Sequence, residues 1–459
     1  MLVRMRSCLP SGSASRRAIF GVALATIAVG NVSRAAGLDA ELVAVEPKVV
    51  GWRRDLHQHP ELSNREVRTA KVVADHLRRL GLEVETGIAH TGVVAFLKTG
   101  KAGPTIALRA DMDALPVVER TDVPFRSVAK GTYGGEAVGV MHACGHDAHT
   151  AVLMGVAEVL ARMKNDLRGN VLFLFQPAEE GAPAGEEGGA SLMLREGIFD
   201  RHRPEAVFGL HVWSSLNTGQ IGYRSGPFMA DSNVWRAVVT GEQTHGSRPW
   251  SGTDPIVIAA QIVTSLQTVV SRQVDLTFNP AVVSVGIFKA GLRTNIIPDT
   301  AEISGTIRTF DPGQKKQIAE SMKRLVEHTA AASGATATFE LDRYSNPVTY
   351  NDPALTARVL PGLRRVAGAA NVREVPLVTG AEDFSHYAQK VPGVFFFVGV
   401  TPQGTVAAKA PSNHSPLFYL DEKALALATR ALTAVAVDFL GKDEPAPPSA
   451  SAPQPADRQ

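Results

Sequence analysis

Val140-Met-His-Ala-Cys-Gly-His-Asp-Ala-His-Thr150 places three histidines, an aspartate and a thiol within eight residues. Packing alone rarely calls for such a density of soft and borderline metal ligands. Gly145, between Cys144 and His146, predicts a tight backbone turn. The run from Ala148 to Met163, rich in Ala, Val, Leu and Met and free of proline, predicts a buried helix. The cluster therefore sits on a turn that feeds a helix N-terminus, a rigid place for a metal site. Three readings of Cys144 stand side by side at this point: a small buried hydrophobe, a catalytic nucleophile near histidine, and a metal ligand.

Outward from this stretch, short apolar runs at Val93–Leu97, Thr105–Arg109, Val171–Phe175, Ala206–Val212 and Val394–Val400 alternate with helical patterns. Bounded by turn residues, they predict buried strands of a mostly parallel α/β sheet. Ser63-Asn-Arg-Glu66 reads as a capping box that opens a helix closing at Gly81. Between Met229 and Ser345 the order changes to βαββαβ, with strands at Val234–Thr240, Ala281–Phe288, Glu302–Phe310 and Thr336–Leu341, and helices at Asp254–Arg272 and Pro312–Ala332. That order predicts an inserted ferredoxin-like α+β domain. The α/β domain would then span 36–228 and 346–442, closing on an amphipathic helix from Asp421 to Leu440, with 229–345 inserted and a disordered Pro/Ala/Ser-rich tail at 443–459.

The chain has 459 residues, 44% hydrophobic and 20% charged, and a formal charge of +2. Five of its cations, Arg4, Arg6, Arg16, Arg17 and Arg34, lie in residues 1–35, which hold no acid, so the remainder stands at −3. No basic footprint for nucleic acid is left. Residues 1–35 read as an export signal: an arginine-bearing start, an apolar run from Ala18 to Val29, and the small-residue pattern Ser33-Arg34-Ala35 before Ala36. A periplasmic address and no stable membrane anchor follow as expectations. Once the signal is removed, Cys144 is the one remaining cysteine, and a lone thiol in an oxidising compartment favours a buried or metal-bound role.

Further candidate groups follow predicted strands, where open α/β sheets place their sites. Asp111-Met-Asp113 follows one strand and Gln176-Pro-Ala-Glu-Glu180 another; the second pair could supply a metal ligand and a proton acceptor. His211, at the end of the strand Ala206–Leu210, and His414 would complete a two-metal site, whereas Glu186-Glu187 among glycines reads as a solvated loop.

Arg109-Ala-Asp-Met-Asp-Ala-Leu-Pro116, Met141-His-Ala-Cys-Gly-His-Asp-Ala-His149, Phe175-Gln-Pro-Ala-Glu-Glu180, Gly380-Ala-Glu-Asp-Phe384 and His414-Ser-Pro416 together resemble the M20 metallopeptidase family. The similar branch is that of the amidohydrolases acting on N-acyl amino acids, hippurate hydrolases and plant auxin-conjugate hydrolases among them, and it spans roughly Val49 to Leu440. The resemblance implies a catalytic domain of zinc-peptidase type with a lid and dimerisation domain inserted, and a possible homodimer through that lid. It implies two divalent metal ions per subunit (Zn, Mn, Co or Ni) on Cys144, His146, Glu180, His211 and His414, with Cys144 bridging. Glu179 would be the general base and Asp113 a group orienting a ligand; Asp111 stands where related enzymes carry histidine. His245 would polarise the scissile carbonyl, in some relatives from the partner subunit, and Asn295 and Arg308 would hold the substrate carboxylate. Pro249-Trp250 departs from the Pro-His common in the branch. Hydrolysis of N-acyl amino acids or small peptide-like substrates is the expected activity. A dipeptidase or carboxypeptidase on the same site, a metal-free Cys144 hydrolase and an exported binding protein with a vestigial site are the alternatives.

Overall fold

The structure is a computed structural model describing residues 18–342 and 345–441, with side chains from Gly37 onward. The first seventeen residues of the expected export signal and the expected tail at 443–459 lie outside the described residues. Helix α1 (Ala18–Gln58) is followed by α2 (Val67–Arg79), strands β1 (Glu83–Ile88), β2 (Gly92–Lys98) and β3 (Thr105–Asp111), helix α3 (His146–Arg162), and strands β4 (Asn170–Gln176), β5 (Ala206–Asn217) and β6 (Ile221–Tyr223). The inserted segment contributes β7 (Asn233–Thr240), α4 (Pro255–Gln273), β8 (Val282–Ala290), β9 (Thr300–Arg308), α5 (Pro312–Ala332) and β10 (Thr336–Leu341). The chain then returns through α6 (Pro353–Ala367), β11 (Val372–Glu374), β12 (Gly393–Thr401) and α7 (Lys423–Leu440).

The large sheet runs β1-β2-β4-β3-β5-β12-β6-β11. Its centre, β4-β3-β5-β12, is parallel throughout, while β1, β2 and β6 join antiparallel neighbours. Both faces of these central strands are covered, which explains their unbroken apolar runs. On one side Leu42, Val45 and Val49 of α1, Val152, Val156 and Val159 of α3 and Leu432, Val435 and Phe439 of α7 pack against the sheet; on the other Met193, Phe199, Phe384 and Tyr387 do so. Because β3 and β4 run parallel and in register, with Asp111 beside Gln176, their C-terminal ends deliver polar residues to the same edge.

The inserted sheet is antiparallel in the order β8-β9-β7-β10, the strand order of a ferredoxin-like βαββαβ unit. It closes its own core of Trp235, Val239, Ile262, Leu266, Ile303 and Met322 with α4 and α5. Among the described residues α4 alone is long and apolar enough to cross a membrane; here Ile258, Ile262, Leu266 and Val269 pack into this core.

Two expectations need correction, and one element was not expected. Ser63 and Glu66 form no capping box: α2 starts at Val67 with no side-chain cap, and both residues turn instead toward the loops that carry Asp113 and Glu179. His211 does not end its strand, since β5 runs on to Asn217. The unexpected element is the stretch of helix α1 beyond residue 35, which runs to Gln58. Its Leu42, Val45, Val49 and Leu56 are spaced for one helical face, but Pro47 within it hides the helix from a reading by breakers.

Candidate metal centre

The turn expected at Gly145 is present, with φ +100° and α3 starting at His146. A Cβ at Gly145 would lie 2.3 Å from Val212 Cγ2, so both the left-handed conformation and the close approach of β5 require glycine. The turn buries Cys144 with its Sγ 3.3 Å from His211 Nε2 and 3.3 Å from His414 Nε2. Ligand-capable atoms of Cys144, His146 and His211 lie within 4.8 Å of one another, as do those of Cys144, Glu180 and His414, and those of His146, Glu179 and Glu180. The thiol is thus common to two donor groups. The five residues expected to hold metal come together with Glu179 beside them.

Hydrogen bonds to the far side of each ring decide which nitrogen is available. His146 Nδ1 donates to the Asp113 carbonyl at 2.9 Å, and His211 Nδ1 to the Val212 carbonyl at 2.7 Å, which leaves Nε2 of both rings as the lone-pair atom. His146 Nε2 is buried without a hydrogen bond, and so is Glu180 Oε1, 3.1 Å from His414 Nε2 but without hydrogen-bond geometry. His149 is different. Its Nδ1 donates to Asp111 at 2.6 Å and its Nε2 accepts from the Val212 N–H at 2.9 Å, so both nitrogens are spent.

Asp113 organises the facing loop. Its Oδ1 accepts from Glu179 N at 3.1 Å and faces His146 Nδ1 at 3.3 Å; its Oδ2 accepts from Glu180 N at 3.0 Å and Ser63 Oγ at 2.7 Å. Glu66 accepts from Ala178 N at 2.9 Å. Ala178 and His414 take left-handed backbones, φ +52° and +72°, unusual for residues other than glycine. Behind the cluster, fully buried Arg109 reaches Asp111 at 2.6 Å, Asp383 at 2.8 Å, Glu382 at 2.9 Å and Gln176 at 2.9 Å. No role for Arg109 was read from the sequence, although a guanidinium inside an apolar strand is a signal, because such a charge is buried only with partners.

The electrostatics call for positive charge. Asp111, Glu382 and Asp383 pair with one arginine, while Asp113, Glu179 and Glu180 gather beside them around His146. Burial and the charges of Glu382, Glu180 and Asp383 push the Glu179 carboxyl well up. Burial would lower His146, yet Asp111, Asp113 and Glu180 carry it up to about 10. Burial with Glu180, Glu179 and Asp111 drives the Cys144 thiol well above its usual range. A nucleophilic cysteine needs the opposite shift, whereas a divalent cation would compensate the carboxylates and deprotonate the thiol outright. The donor set and the orphaned atoms therefore fit a metal centre.

The inserted domain holds the other expected residues apart from this cluster within the chain. His245 is exposed, its Nδ1 engaged by Ser247 Oγ at 2.8 Å. It pairs with Ile296 in a two-stranded ladder, and Gly246 N donates to the Asn295 carbonyl, so His245 and Asn295 are neighbours. Arg308 is half-buried at the end of β9, with Nη1 3.4 Å from the Asp231 carbonyl where the chain enters the inserted segment, and burial lowers its pKa. Trp250, in the departing Pro-Trp, is exposed. Among the described residues no hydrogen bond or ion pair links His245 or Asn295 to the cluster.

A model of peptidase family M20/M25/M40 matches residues 107–438. The thermostable carboxypeptidase 2 of Saccharolobus solfataricus is 40% identical, over 88% of this chain and 98% of its own. The N-acetylcysteine deacetylase of Bacillus subtilis is 39% identical, over 86% and 98%. Among solved structures, the dinuclear metal-binding M20 peptidase YXEP of Bacillus subtilis superposes with a TM-score of 0.71 at 36% identity, covering 87% of this chain and 99% of that one. The chain is accordingly a hydrolase of amide bonds whose relatives include a dinuclear metal-binding peptidase, and the cluster is its candidate divalent-metal centre. With the family model matched across every residue of that centre and the relatives covered almost end to end, the chain belongs to peptidase family M20/M25/M40.

Proposed function

We propose that the protein hydrolyses the amide bond of N-acyl amino acids, releasing a carboxylic acid and an amino acid. The observation that carries this reading is the Cys144 thiol shared between a histidine pair, His146 and His211, and a Glu180–His414 pair, with the imidazole lone pairs turned inward. Two divalent cations from among Zn, Mn, Co and Ni would be held by these five residues, and what they supply is acidification of water and polarisation of the carbonyl.

The protein's own groups do the rest. Glu179, a strong proton acceptor in its buried acidic surroundings, takes the proton from the attacking water and returns it to the departing amine nitrogen. Asp113 holds the backbone of Glu179 and Glu180 and the tautomer of His146, so base and ligands keep one geometry. His245 donates to the carbonyl oxygen as charge develops, and Asn295 with the Arg308 fork anchors the substrate carboxylate. His245 is exposed and remote from the cluster by contact, which supports its supply across a homodimer. The exposed Ile287, Phe288 and Leu292 on and beside β8, at the edge of the small sheet, provide an apolar face for that pairing. The substrate is a small molecule, with neither nucleic acid nor a stable membrane anchor involved, and the arginine-bearing leader supports export to the periplasm.

A carboxypeptidase reading shares the site and is favoured by the 40% identity to a protein of that name. Initial rates on N-acetyl, N-benzoyl and other N-acyl amino acids, set against dipeptides of the same C-terminal residue, test the choice. Higher kcat/KM on acyl amino acids supports the proposal, and higher values on dipeptides overturn it in favour of the peptidase.

A further inference from the structure

Among the described residues, a further cluster of buried charges lies outside the residues that contact one another in the metal centre. It joins the C-terminal end of α1 to the N-terminal end of α3. Arg53 Nε donates to Asp147 Oδ2 at 2.9 Å, and His57 Nδ1 to the same oxygen at 2.8 Å. Arg53, His57 and Asp147 are 4%, 2% and 1% exposed, so water does not screen these bonds. Cations at the end of α1 and an anion in the first turn of α3 match both helix dipoles. Asp147 directly follows His146, and Arg53 and His57 lie outside the region matched by the family model.

The same two residues reach further. His57 Nε2 lies 3.1 Å from Glu119 Oε1, Glu119 also accepts from Ser127 N, and the adjoining Arg120 N donates to the Pro416 carbonyl at 2.8 Å, two residues from His414. Arg53 Nη1 lies 3.5 Å from Glu422, which Arg54 Nε also holds at 2.8 Å. The last turns of α1 thus grip the turn of Cys144 and His146 and, through Glu119 and Glu422, the segment that presents His414. Three ion pairs buried at this depth are a costly way to join helices, since apolar contacts of similar volume serve stability as well; what they add is a fixed register between two ligand-bearing segments.

We propose that Arg53 and His57 are positioning residues of the metal centre. By clamping Asp147 and Glu119 they set the mutual geometry of Cys144, His146 and His414 and thereby the affinity for metal. The proposal rests on the metal-centre reading above, and the test separates the two. Wild type, Asp147→Asn, His57→Gln, His57→Ala and Arg53→Lys are stripped of metal and titrated with Co2+. The thiolate-to-cobalt absorption reports on Cys144, and kcat and KM are measured on the reloaded enzymes. Asp438→Asn, which breaks an exposed pair with Arg365 on α7, is the control.

Asp147→Asn and His57→Ala should bind Co2+ about 10- to 100-fold more weakly, with altered absorption and a lower kcat at nearly constant KM. His57→Gln, which keeps a donor, should recover part of the loss, and Asp438→Asn should match wild type. Wild-type Co2+ affinity and absorption in Asp147→Asn and His57→Ala, even with a lowered Tm, would overturn the proposal. Should Asp147→Asn fail to fold, the milder Arg53→Lys carries the same criterion. A wild-type protein that takes up no cobalt would overturn the metal-centre reading itself.

Discussion

Asp113→Asn changes almost no volume and removes one charge at the point where four donors meet. In the native site Oδ1 serves Glu179 N and His146 Nδ1, while Oδ2 serves Glu180 N and Ser63 Oγ. An asparagine has one acceptor oxygen and one NH2. Turned either way, its NH2 faces a backbone N–H, that of Glu179 or that of Glu180, and leaves it buried without a partner. Ser63 can rotate its hydroxyl to accept, and His146 keeps the Asp113 carbonyl, so one orphaned donor is the minimum damage. Such a donor costs about 1–3 kcal/mol, and the surviving bonds weaken as their acceptor loses its charge, for a total of about 2–4 kcal/mol. Urea unfolding of metal-free wild type and variant measures this directly, provided both transitions share one m-value. The displaced Glu179–Glu180 backbone should also weaken metal binding by about 10- to 100-fold, read by competition with a chromophoric chelator. A variant within about 0.5 kcal/mol of wild type, with unchanged metal affinity, would refute the reasoning that Asp113 organises the loop.

Three further outcomes are expected. Glu179→Gln should retain its metal while kcat falls by about 100-fold or more, the usual worth of a positioned acid–base group; equal loss of metal and activity in the variant would instead make Glu179 a ligand. Gly145→Ala must place a side chain at φ +100° and against Val212, so it should lose at least about 1–3 kcal/mol of stability in thermal unfolding along with metal binding; a near-native Tm would contradict the tight turn. His57 bears on pH. Burial would lower its pKa, but Asp147 and Glu119 raise it above the ordinary value. A histidine that holds its proton more tightly when folded contributes stability that is full below about 6.5 and is lost as pH rises through the raised folded value. The stability difference between wild type and His57→Gln should therefore shrink on going alkaline, and a difference that grows with pH would reverse the assignment.

Much of this protein is legible in its sequence because the buried parallel strands and the covering helices carry uninterrupted apolar patterns. The runs at Thr105, Val171, Ala206 and Val394 all became central strands, and the βαββαβ order of the insert gave its sheet order. The grouping of Cys144, His146 and the Glu179–Glu180 pair was legible because these residues are dense in sequence or follow strand ends. What escaped reading were partnerships between distant segments. Ser63 and Glu66 satisfy a local capping pattern, yet the loops of Asp113 and Ala178 offer them buried donors and acceptors that a solvated helix end does not. His149 looked equal to its neighbours in the cluster, but Asp111 and Val212 N occupy both its nitrogens. Arg109 and the Arg53–His57–Asp147 cluster escaped for the same reason, since charge pairing across a core leaves no periodic trace.

The most direct test is metal content measured together with hydrolysis. The purified mature protein is assayed for bound metal and for amino acid released from hippurate and a set of N-acyl amino acids, before chelation, after verified removal of metal, and after adding back Zn, Mn, Co or Ni. The account predicts loss of activity with the metal and recovery on reloading, saturating at two ions per subunit. Undiminished hydrolysis by metal-free protein would contradict it and make Cys144 the nucleophile.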